Sequence, residues 1–206
     1  MLNVGLTGGI ACGKTTVAEM LVALGAHLID FDALAHEVEA PDRPAWRGIV
    51  SAFGEGVLNA DRTIDRLKLG AIVFQDKAKL QTLNGIVHPA VFDEWRQRMD
   101  AIVRDDPRAV ILSDVPLLFE VGMAPLFDLV ALVYISPAEQ ADRLMKRNGF
   151  TAEEARARLA AQMSIDEKVR RADVVINNQG SVEETRRGIA AVWADFVRRE
   201  EAKRTS

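Results

Sequence analysis

Residues 8–15 read Gly-Gly-Ile-Ala-Cys-Gly-Lys-Thr, a match to G-x-x-x-x-G-K-[ST]. Gly8, Gly9 and Gly13 permit a tight backbone path on which successive N–H groups point inward at phosphate oxygens. A helix beginning at this point adds its partial positive charge to the same place. Lys14 has the reach for the β- and γ-phosphates, and the Thr15 hydroxyl is a ligand for Mg²⁺. Ala11, Cys12 and Thr16 complete the stretch expected around a bound nucleotide such as ATP. A second chemical signal is Val-Ile-Leu-Ser-Asp at 110–114, an apolar strand ending in a carboxylate. In phosphoryl-transfer proteins of this kind such an acid helps hold Mg²⁺, directly or through water, so Asp114 is paired with Thr15 as the candidate metal site. Each signal also has a plain reading: a chance match in a glycine-rich turn, and a solvated aspartate at a strand end.

The surrounding elements decide for the loop. Residues 2–7 are a short apolar run suited to a buried strand, and the glycine cluster follows at once. After it Val17, Met20, Leu21 and Leu24 recur at helical spacing until Gly25 stops the pattern, and His27–Asp30 reads as a second strand. A strand–turn–helix–strand opening favours a parallel sheet with right-handed crossovers. Residues 37–107 change character, with Pro41, Pro44 and Pro89 as punctuation and helical patterns at 67–74 and 91–102. The apolar runs 109–112 and 129–135 return to the buried-strand type. Charged helical stretches follow at 138–147, 152–163 and 165–171, then a last strand near 174–176. The closing helix carries Ile189, Val192, Trp193, Phe196 and Val197 on one stripe.

Bulk properties narrow the class. The 206 residues hold 26 Lys and Arg against 30 Asp and Glu, a formal charge of −4, which counts against a generic nucleic-acid binder. A 49% hydrophobic, 27% charged composition is that of a folded globular chain. The single cysteine allows no internal disulfide. No targeting segment is visible and no apolar run approaches the ~18 residues of a membrane span. The expectation is a cytoplasmic protein with no membrane or nucleic-acid partner, working as a monomer, with weak oligomerisation left open.

The D-x-x-G and N-K-x-D motifs of a GTPase are absent, and a translocating ATPase would be larger. A small chain with a helical insertion and an arginine-bearing helical stretch suits phosphoryl transfer to a small molecule. The segments LTGGIACGKTTVA, LIDFDALAHEV, IDRLKLGAIVF, IVHPAV, SDVPLLFE, YISPAEQADRLMKRNG and ADVVINNQGS run in the order found in bacterial dephospho-CoA kinases, which the chain resembles along essentially its whole length. The resemblance implies an α/β P-loop NTPase fold with a five-stranded parallel sheet flanked by helices. It implies one domain, with core segments 1–36, 108–137 and 172–206, an inserted helical acceptor lobe at 37–107 and a helical lid at 138–171. It also implies ATP as co-substrate, Mg²⁺ as cofactor, dephospho-CoA as acceptor, and phosphorylation of its ribose 3′-hydroxyl.

Residue roles follow from the same resemblance. Asp32 matches the second aspartate of a D-x-D element and would accept or orient the proton of the 3′-hydroxyl; as a residue it also suits a helix N-cap before 33–38. Asp30 would end the strand and support the turn. Arg143 and Arg147, at i and i+4 on one helix face, match lid arginines for ATP phosphates and transferring charge, against the plain reading of a solvated basic face. His88 would shape the acceptor site, Arg66 with Lys68 would meet the acceptor's pyrophosphate unless they are solvated helix charges, and Pro116 and Leu117 would line the acceptor side. Asn178 lies in a turn expected to contact adenine. The family's usual Gly-Ser-Gly-Lys-Ser is here Ala11-Cys12-Gly13-Lys14-Thr15. Ala11 is acceptable there only if its φ stays negative. Cys12, at a helix N-terminus, would be oxidisable if its thiol pKa were lowered, the plain reading being a small residue with no role. Another small-molecule kinase on the same fold, or a nucleotide-dependent switch, are the rival readings.

Overall fold

The structure, a computed structural model, describes residues 1–205. Five strands, β1 (Leu2–Gly8), β2 (His27–Asp30), β3 (Val110–Asp114), β4 (Leu129–Tyr134) and β5 (Val174–Asn177), form one parallel sheet in the order β2-β3-β1-β4-β5. The central strands β1, β3 and β4 are buried almost throughout, as expected of strands covered on both faces. Full burial of side chains such as Val4, Leu6, Ile111, Leu112 and Leu132 stabilises by about 1.5–3 kcal/mol each.

Two helices pack on the sheet's apolar core: α1 (Lys14–Ala23) through Val17, Ala18 and Leu21, and the last helix, Val182–Thr205, through Ile189 and Phe196. Val192 and Trp193 lie half-buried against the same cluster, so the predicted C-terminal stripe is the face that meets the sheet. Leu24, expected on the α1 stripe, lies past the helix end and is exposed. Parallel register is what positions the chemistry. Leu2 stands beside Val110 and Leu6 beside Asp114, so the carboxylate ends its strand two residues short of Gly8, at the edge where the glycine loop leaves the sheet.

The chain divides into two compact units. One holds Met1–Ile29 and the chain from Ile102 onward, with the sheet, α1 and the helices after β4. The other, Asp30–Ala101, is helical: α2 (Phe31–Val38), α3 (Pro44–Phe53), α4 (Arg66–Val73) and most of α5 (Lys77–Asp105). Its core packs Phe31 against Trp95 with ring centroids 5.5 Å apart, and Trp46 Nε1 donates to the Arg62 carbonyl at 2.8 Å. Apart from Asp30, the last residue of β2, its β structure among the described residues is an isolated bridge between Leu58 and Ile64.

Two expectations about punctuation differ in outcome. Pro44 occupies the first turn of α3, where its missing N–H costs nothing. Pro89, expected to mark a boundary, lies inside the 29-residue α5. A proline ring crowds the carbonyl of residue i−4, and here that residue is Gly85, whose backbone can yield.

Candidate active site

The glycine loop runs from the end of β1 into α1. Gly13, the residue before the helix, has φ 79, and Cys12 N–H closes the turn on the Gly9 carbonyl at 3.3 Å. Ala11 has φ 61, so the condition under which alanine is acceptable there is not met. A side chain in the left-handed region costs about 1–2 kcal/mol, and such strain persists only where neighbours fix the backbone. Ala11→Gly is therefore expected to raise stability by ~0.5–1 kcal/mol, the relieved strain less the unfolded-chain entropy that glycine adds. The urea midpoint at unchanged m would read it, and a lowered midpoint would mean that the Ala11 methyl supports the loop.

Neighbouring side chains fix the loop. Helix α6 (Pro137–Asn148) supplies Gln140, whose Nε2 donates to the Ile10 carbonyl at 3.0 Å. After β5, Asn178 Nδ2 donates to the Cys12 carbonyl at 2.7 Å, while its Oδ1 accepts from Thr185 Oγ1 at 2.8 Å. A methyl group at Gly9 would collide with the Gln140 amide, and one at Gly13 with the Asn178 amide. Two shorter helices follow α6, α7 (Ala152–Ala160) and α8 (Ile165–Arg171), and from α8 the Lys168 ammonium donates to the Gly8 carbonyl at 3.3 Å. Lys168 is wholly buried and pairs with Glu120 at 2.8 Å.

The charges at the loop are arranged in pairs. The Lys14 ammonium is ion-paired with the Asp114 carboxylate, both side chains being largely buried. Arg143 donates to Glu139 at 2.6 Å and to the Asn178 carbonyl at 2.9 Å, which holds its guanidinium beside Gly13. Arg147, one turn on, instead donates to the Asn148 side chain at 2.9 Å. Thr15 and Thr16 are exposed on the first turn of α1. The loop's donor set suits Mg²⁺: one carboxylate, Asp114, and one hydroxyl, Thr15, with no cluster of three His, Cys, Asp or Glu among the described residues. Such an ion takes few protein ligands and keeps water and phosphate oxygens for the rest.

Cys12 follows the plain reading rather than the redox one. It is buried, and burial pushes its thiol pKa up, outweighing the Lys14 backbone and charge that pull it down. Its sulfur fills the space where a Gly8 side chain would stand, so Cys12 is a packing residue.

Just beyond β3, the Pro116 carbonyl accepts from Thr7 Oγ1 at 3.2 Å and Leu117 is exposed. Asp32, Arg66 and His88 belong to the other unit. Asp30, not Asp32, is the N-cap of α2: its carboxylate accepts from Asp32 N–H at 2.8 Å and Ala33 N–H at 3.1 Å. This corrects the cap reading of Asp32 and leaves its exposed carboxylate without that duty. Arg66 donates to Glu39 at 2.6 Å, and burial raises the Glu39 pKa against the pull of Arg66 and His36. His88 is exposed on α5. The structure thus gathers Lys14, Asp114, Arg143 and Asn178 around one loop and carries Asp32, Arg66 and His88 on the helical unit.

A sequence model of the family described as dephospho-CoA kinase matches residues 2–184. The chain belongs to the dephospho-CoA kinase family. A dephospho-CoA kinase of Syntrophus aciditrophicus is 53% identical over 206 residues, which is 100% of this chain and 88% of the relative. One of Geobacillus kaustophilus is 51% identical over 191 residues, 93% of this chain and 94% of the relative. The solved dephospho-CoA kinase of Campylobacter jejuni aligns with a TM-score of 0.72 at 30% identity, covering 95% of this chain and 96% of that one. As a member of the dephospho-CoA kinase family the chain is an ATP-dependent kinase, and the fold and the whole-length resemblance expected from its segments are those of that family.

Two residues at this dephospho-CoA kinase loop escaped the sequence reading, Gln140 and Lys168. Each had one faint signal. Gln140 shares a helix face with the buried Leu144, and Lys168 with the buried Ile165, so each is a polar residue on an apolar stripe.

Proposed function

We propose that the chain transfers the γ-phosphoryl group of ATP to the ribose 3′-hydroxyl of dephospho-CoA, releasing coenzyme A and ADP. The observation that carries this reading is the Lys14–Asp114 pair at the mouth of the glycine loop in a chain of this family. Lys14 would exchange Asp114 for the β- and γ-phosphates when the triphosphate enters the loop. Thr15 and Asp114 would hold Mg²⁺, which when bound would neutralise charge on the phosphoryl oxygens. The remaining phosphate oxygens would be taken by amides of the loop through Gly8, Gly9, Ala11, Gly13 and Thr16, with Cys12 closing its turn through its N–H to the Gly9 carbonyl. Asp32, two residues beyond the end of β2, would accept the 3′-hydroxyl proton as the oxygen attacks in line, with no covalent intermediate.

Arg143 would meet the charge on the transferring group, and Arg147 the outer phosphates once its local contact is released. The side-chain amide of Asn178 is committed to Cys12 and Thr185, so its part in nucleotide binding is to hold the loop. Arg66, released from Glu39, would take the acceptor's pyrophosphate, with His88, Pro116 and Leu117 shaping the acceptor side. In this reading 37–107 is the acceptor lobe and 138–171 the lid. The enzyme would act as a monomer in the cytoplasm; no described helix is long and apolar enough to cross a membrane.

A coupled ADP-release assay tests the reaction. Acceptor-dependent turnover of roughly 1–100 per second is expected with dephospho-CoA. Equal ADP release without it, or preference for another alcohol or nucleoside monophosphate, would replace this reading.

A further inference from the structure

The loop's carbonyl groups at Gly8, Ile10 and Cys12 each accept a hydrogen bond from a buried side chain: Lys168 on α8, Gln140 on α6 and Asn178 after β5. These are alternate residues, and the three donors come from three separate elements. A trans peptide unit is planar, with its C=O and N–H pointing opposite ways. Holding the carbonyl of residue i therefore aims the N–H of residue i+1 in the opposite direction. The three contacts fix the planes that carry the N–H groups of Gly9, Ala11 and Gly13. A backbone so held does not have to reorganise when an anion arrives, which is how preorganised donors gain their advantage.

From this juxtaposition we infer that Lys168 and Gln140 are positioning residues for the donor's phosphates, acting from behind the loop through its carbonyls. They touch neither substrate. Lys168 is the more telling of the two. Its side chain is wholly buried, and lysine is almost never so unless its charge is used. A buried ion pair is weak support for a fold, since apolar residues of similar volume often replace one without loss. Here the ammonium instead bridges Glu120, in the segment after β3, to the first carbonyl of the loop. The same Glu120 carboxylate accepts the Met163 N–H at 3.1 Å, which ties the start of α8 to that segment and keeps Lys168 on its target. The strained φ of Ala11 is the local sign that the loop's path is imposed from outside.

The inference rests on ATP being the loop's ligand, and the test separates the two. Lys168→Met and Gln140→Met remove the donors and nearly keep the volumes. Titration calorimetry gives the ATP affinity with no acceptor present, and steady-state assays give KM for each substrate. In each variant ATP affinity is expected to fall roughly 10-fold, with KM for ATP rising to match and KM for dephospho-CoA moving less than about 2-fold. Unchanged ATP affinity in a folded Gln140→Met protein would overturn the inference, as would KM values for both substrates rising together. Should Lys168→Met fail to fold, Gln140→Met decides alone. No turnover of dephospho-CoA by the unaltered chain would instead overturn the proposed reaction and leave the calorimetric result standing.

Discussion

Asp32→Asn is expected to lower turnover of dephospho-CoA by roughly 10²–10⁴-fold while ATP still binds, the range a positioned general base contributes. Asparagine keeps the shape and most of the hydrogen bonding of aspartate, but it cannot take the proton that the 3′-hydroxyl must lose. The local structure makes the experiment clean. Asp30 holds the two free N–H groups at the start of α2, so the helix keeps its cap when Asp32 is changed. Asp32 is exposed, and surface changes away from caps and networks are usually within ~0.5 kcal/mol. A large loss of kcat with an unmoved melting temperature would then belong to chemistry. Near-normal turnover would remove Asp32 from the mechanism.

Lys14→Ala is expected to have an effect of similar size, by a different route. Removing one cation aimed at developing charge costs about 10²–10³-fold in kcat, with weaker ATP binding in addition. This substitution also touches the fold, because Lys14 is the ion-pair partner of a carboxylate that is itself largely buried at the end of β3. Depriving a mostly buried acid of its cation is expected to cost about 2 kcal/mol of stability. Asp114→Asn in the same chain should return much of that stability, and none of the activity. The double-mutant cycle measures the coupling directly. Additive stability losses would show that the pair contributes nothing to folding.

Much of the architecture was legible because its signals are local. The runs at 110–112 and 129–134 are short and continuously apolar, as strands buried on both faces are, and the three charged stretches after β4 fold as the separate helices α6, α7 and α8. The loop was legible because phosphate binding needs a backbone path that glycine alone supplies cheaply. What escaped depends on tertiary surroundings. Pro89 is a helix breaker by rule, yet Gly85 sits where its ring presses. The positive φ at Ala11 lies between carbonyls held by contacts from 130 and 166 residues away, which no local pattern announces. Cys12 lies near a helix N-terminus, which lowers a thiol pKa, but burial outweighs it and no local pattern announces burial. Choosing Asp30 over Asp32 as the cap turns on where β2 ends to within one residue. Lys168 among its charged neighbours looks like a solvated lysine but for Ile165 on the same helix face, a signal too faint to decide before the helix is seated.

The contact between Gly9 and the Gln140 amide implies an order in which these positions can change. Alanine at 9 meets the amide in the present background, so the Gln140 side chain would have to swing away and release the Ile10 carbonyl. A shorter residue at 140 first would open the space, at the expense of the Ile10 carbonyl's partner. The two sites are thus an epistatic pair: the route through position 140 loses a hydrogen bond before it gains room, and the route through position 9 begins with a collision. A first step at either site therefore carries a penalty, which ties the far wall of the loop to the loop itself.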